Sequence, residues 1–351
     1  MTAVLERPDR PGPPEPLSER ARRRAELTTK DRVVRGGLAV AGIIPTAALV
    51  FLTYQMVRQA IPAIRFNGWH FFQTRTFNLG AQYGNPVTRH GEQALPKAQF
   101  GVLAMLFGTV VSSLIALALA VPVSVGGAIL LVEKLPARVQ NVLGVFLELL
   151  AGIPSVVFGL WGVYTLGPVL HRTVFRWISD IGIPWFDGPT GNGQGLASAS
   201  VVLAVMIVPI IASITRELVR SVPVISKEGA VALGLTPSES VRFVTIPYVR
   251  TGVVAAAVLG WARALGETIA VLIISGNAVT IPHSVFDPFT TMAASIAALL
   301  DGALQDSTGM DVHALAEVGL VLLGVTMVTN FAGRLLTRRF SDAGLPVGRG
   351  V

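Results

Sequence analysis

The 351 residues are 52% hydrophobic and only 14% charged, with a formal charge of +7 and no cysteine. That balance is too apolar for a water-soluble enzyme of this length and points to a lipid-embedded chain. Without cysteine, disulfides and thiolate metal or redox sites are excluded, and the histidines (His70, His90, His171, His283, His313) are scattered without metal-ligand spacing.

In chain order, residues 1–35 combine Pro8, Pro11, Gly12, Pro13 and Pro14 with an arginine cluster (Arg20, Arg22, Arg23, Arg24), which reads as a disordered basic cytoplasmic tail rather than a cleaved signal peptide. A helix needs about 20 apolar residues to cross roughly 30 Å of hydrocarbon. Six stretches qualify, at about 36–57, 99–121, 142–166, 199–219, 252–275 and 313–333. The expected architecture is therefore an all-α membrane protein with six spans, its transmembrane domain over 36–340 and a short tail at 341–351.

Basic residues sit before span one, after span four (Arg220, Lys227, Arg242, Arg250) and after span six (Arg334, Arg338, Arg339). The segment 276–312 has no Lys or Arg but contains Asp287, Asp301, Asp306 and Asp311. The positive-inside rule then places both termini and the loop after span four in the cytoplasm of a multi-pass inner-membrane protein. At these positions the positive charge serves orientation and anionic lipid, so no nucleic-acid partner is expected. The external segments 58–98 and 167–198 carry Trp69, Phe71, Phe72, Trp177, Trp185 and Phe186, which suit interfacial belts.

In span three, Gly152 and Pro154 can unwind or kink the helix, with Ser155 re-satisfying freed backbone groups as in discontinuous helices beside substrate paths. Packing through Gly152, Gly159 and Gly162 explains the same glycines. Glu148 lies near the cytoplasmic end of this span, as an interfacial contact or a gate.

The loop after span four, about 222–250, encodes two short helices. Ser226 can cap the first and Gly234 can end it with a positive φ. Thr236, Pro237 and Glu239 form a capping box for the second, which Pro247 is expected to stop. Ala230, Val231 and Leu233 make an apolar ridge that needs a partner.

In span five, Arg263 lies about 16 Å from the cytoplasmic end, counted at roughly 1.5 Å per residue. Glu267 follows four residues later on the same helical face and can offset the cost of burying the arginine. The two either neutralise one another structurally or line the path, with Arg263 offering forked donors to an oxyanion, Glu267 restraining it, and Thr268 beside them.

The loop residues Glu228-Gly229-Ala230, Gly234 and Val244-Thr245-Ile246-Pro247 resemble the coupling loop of ABC-importer permeases, with its spacings kept. Departures are Gly229 for alanine, Val244 for isoleucine and Ile246 for leucine. The segments Gly260–Val271 and Glu148–Gly162 resemble the phosphate-importer permeases, nearest their PstC type, over about 63–339. The resemblance implies the MetI-like permease core. It also implies docking of Glu228, Gly229, Ala230, Val231, Leu233, Gly234 and Pro247 on a separate ATPase, and a substrate path through Arg263, Glu267, Thr268, Ser155 and Glu148. The implied partners are a sister permease (PstA-type), an ATPase dimer (PstB-type), an external phosphate-binding protein (PstS-type) and membrane lipid. No Walker loop occurs in the sequence, so ATP and Mg are expected on the partner ATPase and no cofactor in this chain. Competing readings are a permease for sulfate or molybdate, a non-transporting ATPase-binding scaffold, and a membrane-embedded lipid-modifying enzyme, the last disfavoured by the lack of clustered catalytic groups.

Overall fold

The computed structural model describes residues 17–81, 84–179, 185–186 and 192–342. The chain divides into two compact units, Met1–Gln55 and Met56–Val351. Helix α1 (Leu17–Asn67) begins inside the stretch expected to be unstructured. The remainder of that expected tail, residues 1–16, and residues 343–351 lie outside the described residues.

Among the described residues, five helices are long and apolar enough to cross a bilayer, and a sixth crossing arises if one bent pair counts as a single span. After α1 come the short α2 (His70–Gln73) and an antiparallel hairpin, β1 (Val87–Arg89) with β2 (Glu92–Ala94), in which Val87 faces Ala94 and Arg89 faces Glu92. The long α3 (Leu103–Glu133) follows. Then α4 (Ala137–Ala151) and α5 (Ser155–Trp161) meet at a 92° bend, so the span expected over 142–166 is broken at the Gly152–Pro154 stretch that was expected to unwind or kink it. A residue before proline is disfavoured in the helical region, and Pro154 adopts an extended ψ of 138° where the chain turns.

Helix α5 continues through α6 (Gly167–Leu170) and α7 (Arg176–Ser179), joined by wide π-type turns at Gly162–Leu166 and His171–Phe175. Next are α8 (Leu196–Arg220), α9 (Val224–Ala232), α10 (Pro237–Ser240), a π-type turn at Val241–Thr245, and α11 (Ile246–Leu265). The last are α12 (Ile269–Ile274), α13 (Met292–Ala303) and α14 (Met310–Asp342).

Pro247 does not end a helix as expected. The Ile246 N–H bonds back five residues to Val241, and the proline follows immediately inside a continuous helix. Pro168 repeats the arrangement after Gly167 bonds Gly162. A proline lacks the N–H for its own i−4 bond and crowds that carbonyl, and a widened turn just before it accommodates both defects.

The main core joins α3, α5, α8, α11 and α12 around Ala116, Ala120, Phe158, Leu203, Ile207, Ile211 and Ile274. Small side chains let α3 and α8 approach closely, and polar groups tie the helices where lipid offers none: Ser124 Oγ donates to the Val208 carbonyl at 3.1 Å, and Trp261 Nε1 donates to Ser113 Oγ at 3.0 Å. A second core gathers Phe66, Phe71, Phe77, Phe100, Met105, Met292 and Met310. Phe71, expected in an interfacial belt, is fully buried here, whereas Trp69 and Trp177 remain exposed.

Helix α3 fixes the polarity of the bundle. Its C-terminal Glu133 meets α9, while Val102, just before its start, donates to the Phe71 carbonyl. The loop after α8 and the hairpin region therefore occupy opposite ends.

Candidate functional site

The expected single span over 252–275 is two helices. Gly266 caps α11, the chain turns through Glu267 and Thr268, and α12 resumes at Ile269. Arg263 stands in the last turn of α11, where a cation complements the helix dipole. Its side chain is exposed and Glu267 is half-buried. No ion pair or hydrogen bond joins them: the i, i+4 geometry needs an unbroken helix, and the helix ends between the two residues. Thr268 Oγ1 donates to the Gly266 carbonyl at 3.2 Å, which holds the turn. The break thus presents one guanidinium and one carboxylate with free hydrogen-bonding capacity at an interruption in an apolar helix, the form that substrate sites take in discontinuous membrane helices.

Ser155 opens α5 without making a side-chain hydrogen bond, so the freed backbone groups at the bend are not satisfied by it. Gly152 has open space around it apart from its own turn, and its use is conformational. Gly159 and Gly162 do pack closely: an added Cβ would stand 3.0 Å from Ala270 Cα and 2.6 Å from Ile274 Cδ1 respectively.

At the other end of α11 the loop after α8 folds as a helix–turn–helix. Pro223, not Ser226, occupies the cap position of α9, and Ser226 lies within the helix. Gly234 takes φ +86°, as expected of a residue ending a helix in the left-handed region. The capping box forms in full, with Thr236 Oγ1 accepting from the Glu239 N–H at 3.4 Å and the Thr236 N–H donating to Glu239 at 2.8 Å. Ala230 turns inward and is buried, so it leaves the expected ridge; the exposed apolar side chains are Val224, Ile225, Val231 and Leu233, the last 83% exposed. Glu228, Gly229 and Pro247 are also exposed.

Two anchors escaped the sequence reading. Glu133 at the end of α3 accepts from Lys227 Nζ at 2.7 Å and from Thr245 Oγ1 at 3.2 Å, which ties α9 and the π-type turn to one carboxylate. Arg216, nearly buried near the end of α8, donates through Nη2 to Glu148 at 3.3 Å and to Glu217 at 3.1 Å. An added Cβ at Gly144 would fall on Nη1 of Arg216, so that glycine makes room for the guanidinium under α4. Glu148 thus sits on the surface as the partner of Arg216, away from the Arg263 break in chain order and without a bond to it. Arg216 was open to the argument applied to Arg263, a charge inside an apolar run. Glu133 carried no such signal, because a charged residue at a span end is ordinary.

A family model described as "Binding-protein-dependent transport system inner membrane component" matches residues 123–342. "Phosphate transport system permease protein PstC 1" of Mycobacterium tuberculosis is 47% identical over 318 residues, covering 89% of this chain and 94% of that protein. "Phosphate transport system permease protein PstC" of Mesorhizobium japonicum is 36% identical over 300 residues, covering 84% of this chain and 88% of that protein. A chain of the crystal structure of a bacterial alginate ABC transporter, in complex with a periplasmic protein bound to an alginate pentasaccharide, superposes with a TM-score of 0.57 at 16% identity. That superposition covers 90% of this chain and 99% of the other, which shows a shared fold of ABC-importer permeases. Homologues of this kind are permease subunits and not enzymes. By fold, family model and identity, the chain belongs to the binding-protein-dependent transport system inner membrane components, among their PstC-type permeases.

Proposed function

We propose that this chain is a permease subunit of an ATP-driven importer of inorganic phosphate, lining the path with a sister permease of PstA type. The observation that carries the reading is Arg263, exposed and unpaired at the α11–α12 break, in a chain whose curated relatives are phosphate permeases. Its planar fork matches an oxyanion, while Glu267 holds no bond to it here and is free to repel or release the anion as the path opens. Family membership implies an ATPase and a substrate-binding protein as partners, assigned here to PstB and PstS types.

Motion enters through the loop after α8. The exposed ridge Val224, Ile225, Val231 and Leu233 seats on the ATPase, and Glu133 passes the displacement to α3 and, through Thr245, to the helix that carries Arg263. This orientation puts the loop and both termini in the cytoplasm, in keeping with the basic residues around them. ATP and Mg belong to the ATPase.

Reconstituted complex bearing Arg263→Ala is expected to assemble normally and lose phosphate uptake; full uptake would remove Arg263 from the mechanism. A guanidinium fork also suits sulfate or molybdate, and uptake competition among the three anions separates the cargoes.

A further inference from the structure

A polar cavity of about 380 Å³ lies at the end of the bundle opposite the loop after α8, between the end of α1, the hairpin and the segment entering α3. Buried Phe66 and Phe100 form its apolar side, and His70, Arg89, His90 and Gln99 bring donors to it. None of these four belongs to the path or to the ATPase-coupling loop.

The charge here is not the one that membrane orientation calls for. From Arg65 to Lys97 the sequence has four Lys or Arg (Arg65, Arg75, Arg89, Lys97) and a single acidic residue, Glu92. The segment 276–312, which joins the same end of the bundle, has four aspartates and no Lys or Arg. An external segment needs no basic residues for orientation, and of these four Arg89 is the one that lines the cavity.

The side chains are placed for an anion. Glu92 pairs with Arg65 at 3.8 Å, which leaves Arg89 without a carboxylate partner. Its guanidinium carbon lies 5.5 Å from the centroid of the Phe66 ring, a cation–π contact that leaves its N–H donors unused. His90 takes φ +50° and Gly91 φ +85°, the two-residue hairpin turn in which Asn or Gly is usual at the first position. Histidine, like Asn and Asp, tolerates that left-handed position, and the turn places His90 beside Arg89 on the cavity lining. Gln99 Oε1 accepts from Thr76 Oγ1 at 3.1 Å, so its amide N–H₂ remains to donate.

We propose that this cavity binds a small tetrahedral oxyanion, of the class of inorganic phosphate, at the outer mouth, with Arg89 as the forked donor and His70, His90 and Gln99 completing its shell. A concave site of this volume suits a partly hydrated ion better than the flat acidic surface of a protein, and it would hold the anion before entry into the path. The proposal rests on the importer reading above, which fixes this end as external.

The test is equilibrium dialysis of labelled inorganic phosphate against the complete transporter in nanodiscs, without the binding protein. An Arg263→Ala background removes the path arginine from the measurement. Saturable binding is expected, weakened by about ten-fold or more in Arg89→Ala, the order of one charge-assisted contact, and unchanged in Arg75→Ala. Absence of saturable binding, or equal binding in Arg89→Ala, overturns the proposal. So does an Arg89→Ala complex that keeps phosphate binding and loses only its capture of the binding protein. Uptake by the complex with native Arg263 and the binding protein is measured in parallel: uptake without dialysis binding defeats this site alone, whereas no uptake defeats the importer reading itself.

Discussion

Gly144 and Arg216 show how one missing side chain governs a buried charge. The guanidinium reaches Glu148 and Glu217 only because no Cβ occupies the space at Gly144, and its Nε is buried without a partner. Gly144→Ala should therefore displace Arg216 and destabilise the protein by about 1–3 kcal/mol, the usual cost of overpacking. Thermal unfolding of the purified protein checks this, and Gly144→Ala combined with Arg216→Ala should cost less than the two singly, since the clash is then gone. Additive losses would mean that the glycine and the arginine do not share the space. Gly229 behaves in the opposite way: nothing lies within 4 Å of an added Cβ there, and the position is inside α9. Gly229→Ala should stabilise by up to about 1 kcal/mol through helix propensity and leave transport intact; a loss of transport at unchanged stability would make the glycine functional.

The elements of the loop after α8 are read most directly through Glu133. One carboxylate receives Lys227 from α9 and Thr245 from the turn before α11, so displacement of α9 must load both α3 and α11. Glu133→Lys should leave ATP hydrolysis running while phosphate uptake falls, and Glu133→Lys with Lys227→Glu should recover part of the uptake; measuring phosphate moved per ATP hydrolysed distinguishes this from simple misfolding. If the swap recovers nothing, the ion pair is not the link. The ridge makes a separate prediction: Leu233→Asp, at an exposed position, should change stability by no more than about 0.5 kcal/mol yet abolish capture of the ATPase.

Much of this architecture was legible because caps and breakers act locally. Thr236, Pro237, Glu239 and Gly234 folded as their chemistry dictates. What could not be read were consequences of the surroundings. Pro154 signalled a break but not that it would reach 92°, and Pro247 was absorbed by a wider turn instead of ending a helix. Gly266 ended α11 one residue before Glu267, which cancelled an ion pair inferred from regular helical spacing. The Arg216–Glu148 contact joins residues 68 apart and left no trace in local pattern.

At the scale of the whole molecule the two ends of the bundle differ in kind. One carries an exposed apolar ridge held by a capping box and a shared carboxylate, the other a basic concavity and an acidic segment. Between them runs a bundle tied by small residues and isolated hydrogen bonds, with its free arginine at a helix break. Such polarity suits directional movement of an anion driven from one side. The most direct test is uptake of labelled phosphate into vesicles by this chain co-expressed with its sister permease, ATPase and binding protein. Uptake that requires ATP and is lost in Arg263→Ala is the predicted result; assembled complexes that move no phosphate with ATP present, or move it equally without Arg263, would contradict the account.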